Sequence, residues 1–224
     1  MDKHIENLEQ WLTSLSDFSL PAYEELPEMD LYMDQVISYL DRKLEPLSTG
    51  SGEPQITPFM VNNYVKANLI AAPALKKYSR VQIGYLFAIC SVKQVLSMSD
   101  IKLLFETDKI VYPEKDKLYN FFHDVQGRIT HGVDKQVNAQ YEVILRRYQE
   151  DVARQDPKAF ETFRANLSYI AFKLSIEAQI NKIIADRIIY EVEKSARDEK
   201  AEKELAAAEA ARLEAETNKA KKKK

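Results

Sequence analysis

The chain of 224 residues is 45% hydrophobic and 30% charged with a formal net charge of −3, an ordinary globular composition with enough apolar material for one or two domains. One cysteine, Cys90, excludes an internal disulfide and any thiolate cluster, and His4, His123 and His131 lack the spacing of a helical metal site, so no metal or cofactor is expected. Five glycines and eight prolines point to helix, and the charge is uneven: −9 over residues 1–53, +4 over residues 54–106 and +2 beyond.

Ile5, Leu8, Leu12 and Leu15 recur on one helical face beside Trp11, which predicts an N-terminal helix. Leu20-Pro21 and Leu26-Pro27 break the acidic connector that follows. A second helix is expected over Leu31 to Leu44, with Tyr32, Val36, Tyr39 and Leu40 on one stripe, ending before Pro46 and the loop STGSGEP. Thr57 is a good N-cap and Pro58 suits the first helical position, where its missing amide hydrogen is not needed. The short helix this starts runs to about Ala67, Asn68 takes the left-handed conformation that ends it, and Pro73 prevents resumption. Ser79 with Gln82, and Ser97 with Asp100, have the spacing of capping boxes. The first of these opens an almost wholly apolar helix, roughly Arg80 to Leu96, the expected buried centre, in which Cys90 reads as a core thiol.

After Pro113 long helices are expected, broken near Gly127 to Gly132 and at Asp156-Pro157. Phe160, Phe163, Leu167, Ile170 and Leu174 step by three and four, and the stripe continues through Ile176, Ile180, Ile183, Ile184, Ile188 and Val192. Its width exceeds a two-stranded seam, which predicts burial against a helix of the same chain and against a second subunit, a purely intramolecular bundle being the alternative. Beyond Glu193 a low-complexity run of Lys, Glu and Ala ends in KKKK, a solvated helix fraying into a basic tail. Met1 to Gln10 has no signal-peptide core and charges interrupt Ala165 to Val192, so a cytoplasmic protein without membrane contact is expected.

Val61, Tyr64 and Val65 face one side of the short helix, with Leu69 and Ile70 behind them, whereas Phe59, Asn62, Asn63 and Lys66 face the other. A short helix with an amide-rich outward face, held on a buried one, has the layout of a recognition helix in a helix-turn-helix. The run TPFMVNNYVKANLI, then KKYS, the apolar helix and SMSDIKLLF resembles the MerR-type winged helix-turn-helix in order and spacing. Together with the lead-in LPAYEELPEMDLYMDQVISYL it is similar to an uncharacterised bacterial family that carries a MerR-like DNA-binding domain and has no assigned activity. The likeness is strongest from Leu20 to Glu106.

The resemblance implies that Phe59, Asn62, Asn63 and Lys66 face DNA and that Lys76, Lys77 and Arg80 hold phosphates. It also implies a wing reduced here to AAPALKK, without the family's glycine and arginines, and hence weaker phosphate affinity than a typical relative has. The cysteines of metal-sensing members are missing. From residue type alone, Asn62 and Asn63 are equally adenine readers or solvated amides, and the lysines phosphate contacts or a solvated face. His123, Asp124 and His131 near Arg128 have no nucleophile or Gly-rich loop beside them, so no catalytic residue and no enzyme is expected.

The expected organisation is all-α: an N-terminal helix and acidic arm (1–27), a MerR-like helix-turn-helix domain (28–112), a helical C-terminal bundle and dimerisation region (113–196) and a charged helical tail (197–224). The expected function is a sequence-specific transcriptional regulator binding double-stranded DNA as a homodimer, its effector unspecified. The alternative is a helical protein–protein interaction module that keeps the helix-turn-helix core without binding DNA.

Overall fold

The computed structural model describes residues 3–48, 50, 52–111, 114 and 116–221, and it is predominantly helical. Residues 49, 51, 113 and 222–224, which carry parts of the expected STGSGEP loop, the Pro113 break and the KKKK tail, lie outside the described residues. In chain order the elements are α1 (Lys3–Ser16), a 3-10 turn (Tyr23–Glu25), β1 (Leu31–Tyr32), α2 (Met33–Leu44), a second 3-10 turn (Glu45–Leu47), α3 (Pro58–Lys66), β2 (Lys77–Tyr78), α4 (Arg80–Val92), α5 (Met98–Val111), α6 (Lys117–Ala153) and α7 (Ala159–Lys221). They form two compact units, the first up to Ile176 and the second from Glu177.

The first unit holds two apolar clusters. The larger surrounds α4, whose Ile83, Leu86, Phe87 and Ile89 are buried together with Val36, Leu40 and Leu44 of α2, Val61 and Tyr64 of α3, Ile101 and Phe105 of α5, and Leu118 and Tyr119 of α6. Phe18, Leu20 and Leu26 of the acidic connector belong to this core, so the connector is packed onto the helices that follow it. Tyr119 donates its hydroxyl to the Pro21 carbonyl at 2.6 Å, fastening that connector to α6. The Cβ of an alanine at Gly84 would stand 3.3 Å from the Tyr119 ring, so α4 and α6 meet at a point where only hydrogen fits well. The smaller cluster joins α1 through Ile5 and Leu12 to Tyr141 of α6 and Phe163 of α7.

Local chemistry sets most boundaries. Ser97 and Asp100 complete a reciprocal box at the start of α5, the Asp100 N–H donating to Ser97 Oγ at 3.1 Å and the Ser97 N–H to Asp100 Oδ2 at 3.2 Å. At Ser79 the glutamine half is made: Gln82 Oε1 accepts from the Ser79 N–H at 2.8 Å, while Gln82 Nε2 donates to the Ala71 carbonyl. The break before Pro157 is a left-handed Gln155, φ 58°, whose neighbour Asp156 donates back to the Asp151 carbonyl.

Three expectations need correction. Leu31 and Tyr32 do not open α2 but pair with Tyr78 and Lys77 as antiparallel β1 and β2, the extended Tyr32 giving its N–H to Gln35 Oε1 at 2.9 Å. The apolar helix stops at Val92, capped by Lys93, not at Leu96. Finally, α6 runs unbroken through Gly127 and Gly132. Glycine there costs about 1 kcal/mol against alanine but bars no helical angle, and packing of α6 against α4 and α1 outweighs that cost.

Candidate nucleic-acid interface

Helix α3 is short and closed at both ends by its own sequence. Thr57 is extended and its Oγ1 accepts the Met60 N–H at 3.2 Å, with Pro58 filling the first helical position. At the other end Asn68 sits left-handed at φ 58°, its N–H donates to Val65, and the Leu69 N–H donates to Tyr64 at 2.9 Å. This pair of bonds is the Schellman closure, with an asparagine where glycine is commoner. Val61 and Tyr64 are buried, and burial pushes the Tyr64 hydroxyl up to about 12. Across the helix Phe59 is 72% exposed, and Asn62 and Lys66 are exposed with it, while Asn63 is half-buried. A solvent-facing phenylalanine has no role in the core, so the face is built for contact or tolerates the loss.

The segment expected as a wing is a minimal hairpin. The Lys77 N–H donates to the Ala74 carbonyl at 2.9 Å, closing a two-residue turn in which both Leu75 (φ 50°) and Lys76 (φ 64°) are left-handed. That sign pattern belongs to the primed hairpin turns, which favour Asn-Gly, and in a non-glycine residue it costs about 1–2 kcal/mol per position. Leu75 is 92% exposed, so its side chain recovers nothing by burial. Lys76 is exposed at the tip, whereas Lys77 is half-buried with its ammonium 4.9 Å from the Tyr32 ring centroid. Arg80 faces elsewhere: it lies 3.5 Å from Glu28, with its guanidinium 5.7 Å from the ring centroid of Tyr23. Lys93 is likewise engaged, donating to the Gln55 carbonyl.

Of the seven sequence-expected contacts, then, Phe59, Asn62, Lys66 and Lys76 stand open, Asn63 and Lys77 are half-buried, and Arg80 is held by the acidic connector. Leu75, Tyr32 and Glu28 were not singled out in sequence. Leu-Lys carries no turn signature, Tyr32 reads as helix by periodicity, and the acidic excess announced a charged connector without naming the partner of Glu28. In the core, Cys90 is buried, its thiol pushed up to about 11 mainly by desolvation, with Asp41 acting the same way and Lys93 against it. A groove of about 820 Å³ lies among α4, α5 and α6, lined by Val92, Leu96, Phe105, Phe121 and Phe122 with Asp108 among them. Among the described residues no group of three or more His, Cys, Asp or Glu is placed to hold a metal ion, and no helix is long and apolar enough to cross a membrane.

Residues 21–122 match a domain of unknown function (DUF1836). The match begins at the carbonyl that accepts from Tyr119 and ends just past that tyrosine, so it covers the whole of the candidate interface and the larger core except for Phe18 and Leu20. Comparison with curated proteins and with solved structures gave no match.

Proposed function

We propose that the chain is a sequence-specific transcriptional regulator of MerR-like type that binds double-stranded DNA as a homodimer. The observation that carries this reading is α3: a nine-residue helix capped at both ends, buried through Val61 and Tyr64, with Phe59, Asn62 and Lys66 open on its other side. On this reading α3 enters the major groove, where the Asn62 carboxamide pairs with adenine N6 and N7. Lys66 and Lys76 neutralise phosphates, which fixes register and makes binding salt-dependent.

Selection of bound sequences from random duplex DNA tests this directly, and an enriched site with twofold-related halves is expected. On that site Asn62→Ala costs about 1–3 kcal/mol with little change on random DNA, whereas Lys76→Ala weakens binding to every sequence and lowers the salt slope by about one. Absent or salt-independent binding by the folded chain removes the reading.

A helical protein-interaction module is the second reading. It is favoured by the capture of Arg80 by Glu28 and the partial burial of Asn63, which leave fewer open contacts than a typical reader offers. In that case the selection returns no enriched sequence.

A further inference from the structure

The wing turn is expensive in a way its fold does not need. Glycine at either centre would relieve the left-handed backbone of Leu75 or Lys76, and a polar residue would suit the exposure of Leu75. The hairpin is nevertheless firmly seated: Tyr78 is buried in the larger core, β1 pairs with β2, and the Lys77 ammonium rests on Tyr32. A rigid base thus presents one bare aliphatic side chain, followed directly in sequence by Lys76 and Lys77. Strain held where the fold does not require it is a mark of a contact site.

We infer that Leu75 is an apolar wedge for the minor groove of duplex DNA, a role that rests on the DNA-binding reading of α3. The minor groove adjoins the major groove that α3 would occupy, and at about 6 Å wide it admits a two-residue tip rather than a helix. An aliphatic side chain carries no hydrogen-bonding code; what it does there is slip against a base step, unstack it and bend the duplex. The lysine beside it fits a polyanion. Leucine is under-represented among the residues that dominate protein–protein contacts, which argues against a protein surface as the occupant.

Two variants separate wedge from fold. Leu75→Gly relieves the backbone, so its melting temperature should rise by about 2–4 °C. Its affinity for the selected duplex should nevertheless fall about tenfold, with the bend measured by energy transfer across the site reduced and the salt slope unchanged. Leu75→Ala keeps the strained backbone and should lose the same affinity and bend with no gain in melting temperature. Wild-type affinity and bend in both variants would overturn the wedge while leaving the DNA reading intact. A lower melting temperature for Leu75→Gly would overturn the strain on which the inference stands. Failure of the wild-type chain on every duplex would remove both readings, and loss of a protein partner in Leu75→Gly under those conditions would assign the tip to protein instead.

Discussion

Arg80 and Cys90 show how differently two residues of one helix can be constrained. Arg80 was expected at a phosphate, but its guanidinium lies against Glu28 and Tyr23, and an ion pair whose carboxylate is this exposed is worth at most about 1 kcal/mol. A phosphate could displace it at that cost. Glu28→Gln should therefore tighten binding to all duplexes by about threefold, and an unchanged dissociation constant across a salt titration would show that Arg80 never turns to DNA. Cys90 is fixed by burial instead. Its thiol is raised from an ordinary 9.0 to about 11 and the Tyr64 hydroxyl from 10.0 to about 12, so in each the folded state favours the protonated form. Stability from these two groups is fully present below pH 9, and it is lost as the pH rises through the unfolded values toward the folded ones. Melting temperatures should hold between pH 7 and 9 and fall steadily to pH 11, and Cys90→Ala should delay the onset by about one pH unit. A flat profile to pH 11 would contradict the burial of both groups.

At the scale of the element, residues whose effect is local were legible. Thr57-Pro58, Asn68 and the Ser97/Asp100 pair each act within four residues of themselves, and α3 and α5 start or stop where they stand. Gly127 and Gly132 misled because glycine permits a break without imposing one; whether α6 continues is decided by what packs along it. An alanine Cβ at either glycine would meet nothing within 4 Å. Gly127→Ala and Gly132→Ala should each stabilise the chain by about 0.5–1 kcal/mol in denaturant melts, and a loss of stability would mean that α6 bends there. Gly84→Ala is the useful contrast, since the ring it would press on is held by its bond to Pro21. The segment AAPALKK was expected as a shortened wing, but its left-handed turn was not legible, because Leu-Lys carries no turn signature. Leu75 and Lys76 lie in the turn closed by the Lys77 N–H on the Ala74 carbonyl, and β2 meets β1 through Leu31 and Tyr78, a contact that no local pattern announces.

For the whole molecule, the apolar stripe of α7 stands out because many of its large side chains are exposed. In the first unit Tyr169, Phe172 and Ile176 are exposed; in the second, Ile180, Ile183, Ile184, Ile188 and Tyr190 are more than half exposed. Phe163, with Leu167 and Phe160 beside it, is used internally, packed on Tyr141 and Tyr148. A helix so apolar on one side is expected to pair with a second copy, and light scattering should give twice the chain mass. Ile183→Asp with Ile184→Asp should return it to a monomer, while truncation after Arg197 removes only a helix laced by pairs such as Glu199 with Lys203 and should leave the dimer intact. A monomer at every concentration would refute the pairing. The bond from Tyr119 to Pro21 spans 98 residues, so the larger core cannot be completed until the chain has been made past Tyr119. At ribosomal speeds of about 5–20 residues per second, Pro21 waits roughly 5–20 s for its partner, with Leu20, Leu26 and the apolar faces of α2 and α3 meanwhile uncovered. That interval leaves extended apolar segments open to any holdase that binds them, and it should lengthen wherever slow codons precede Tyr119.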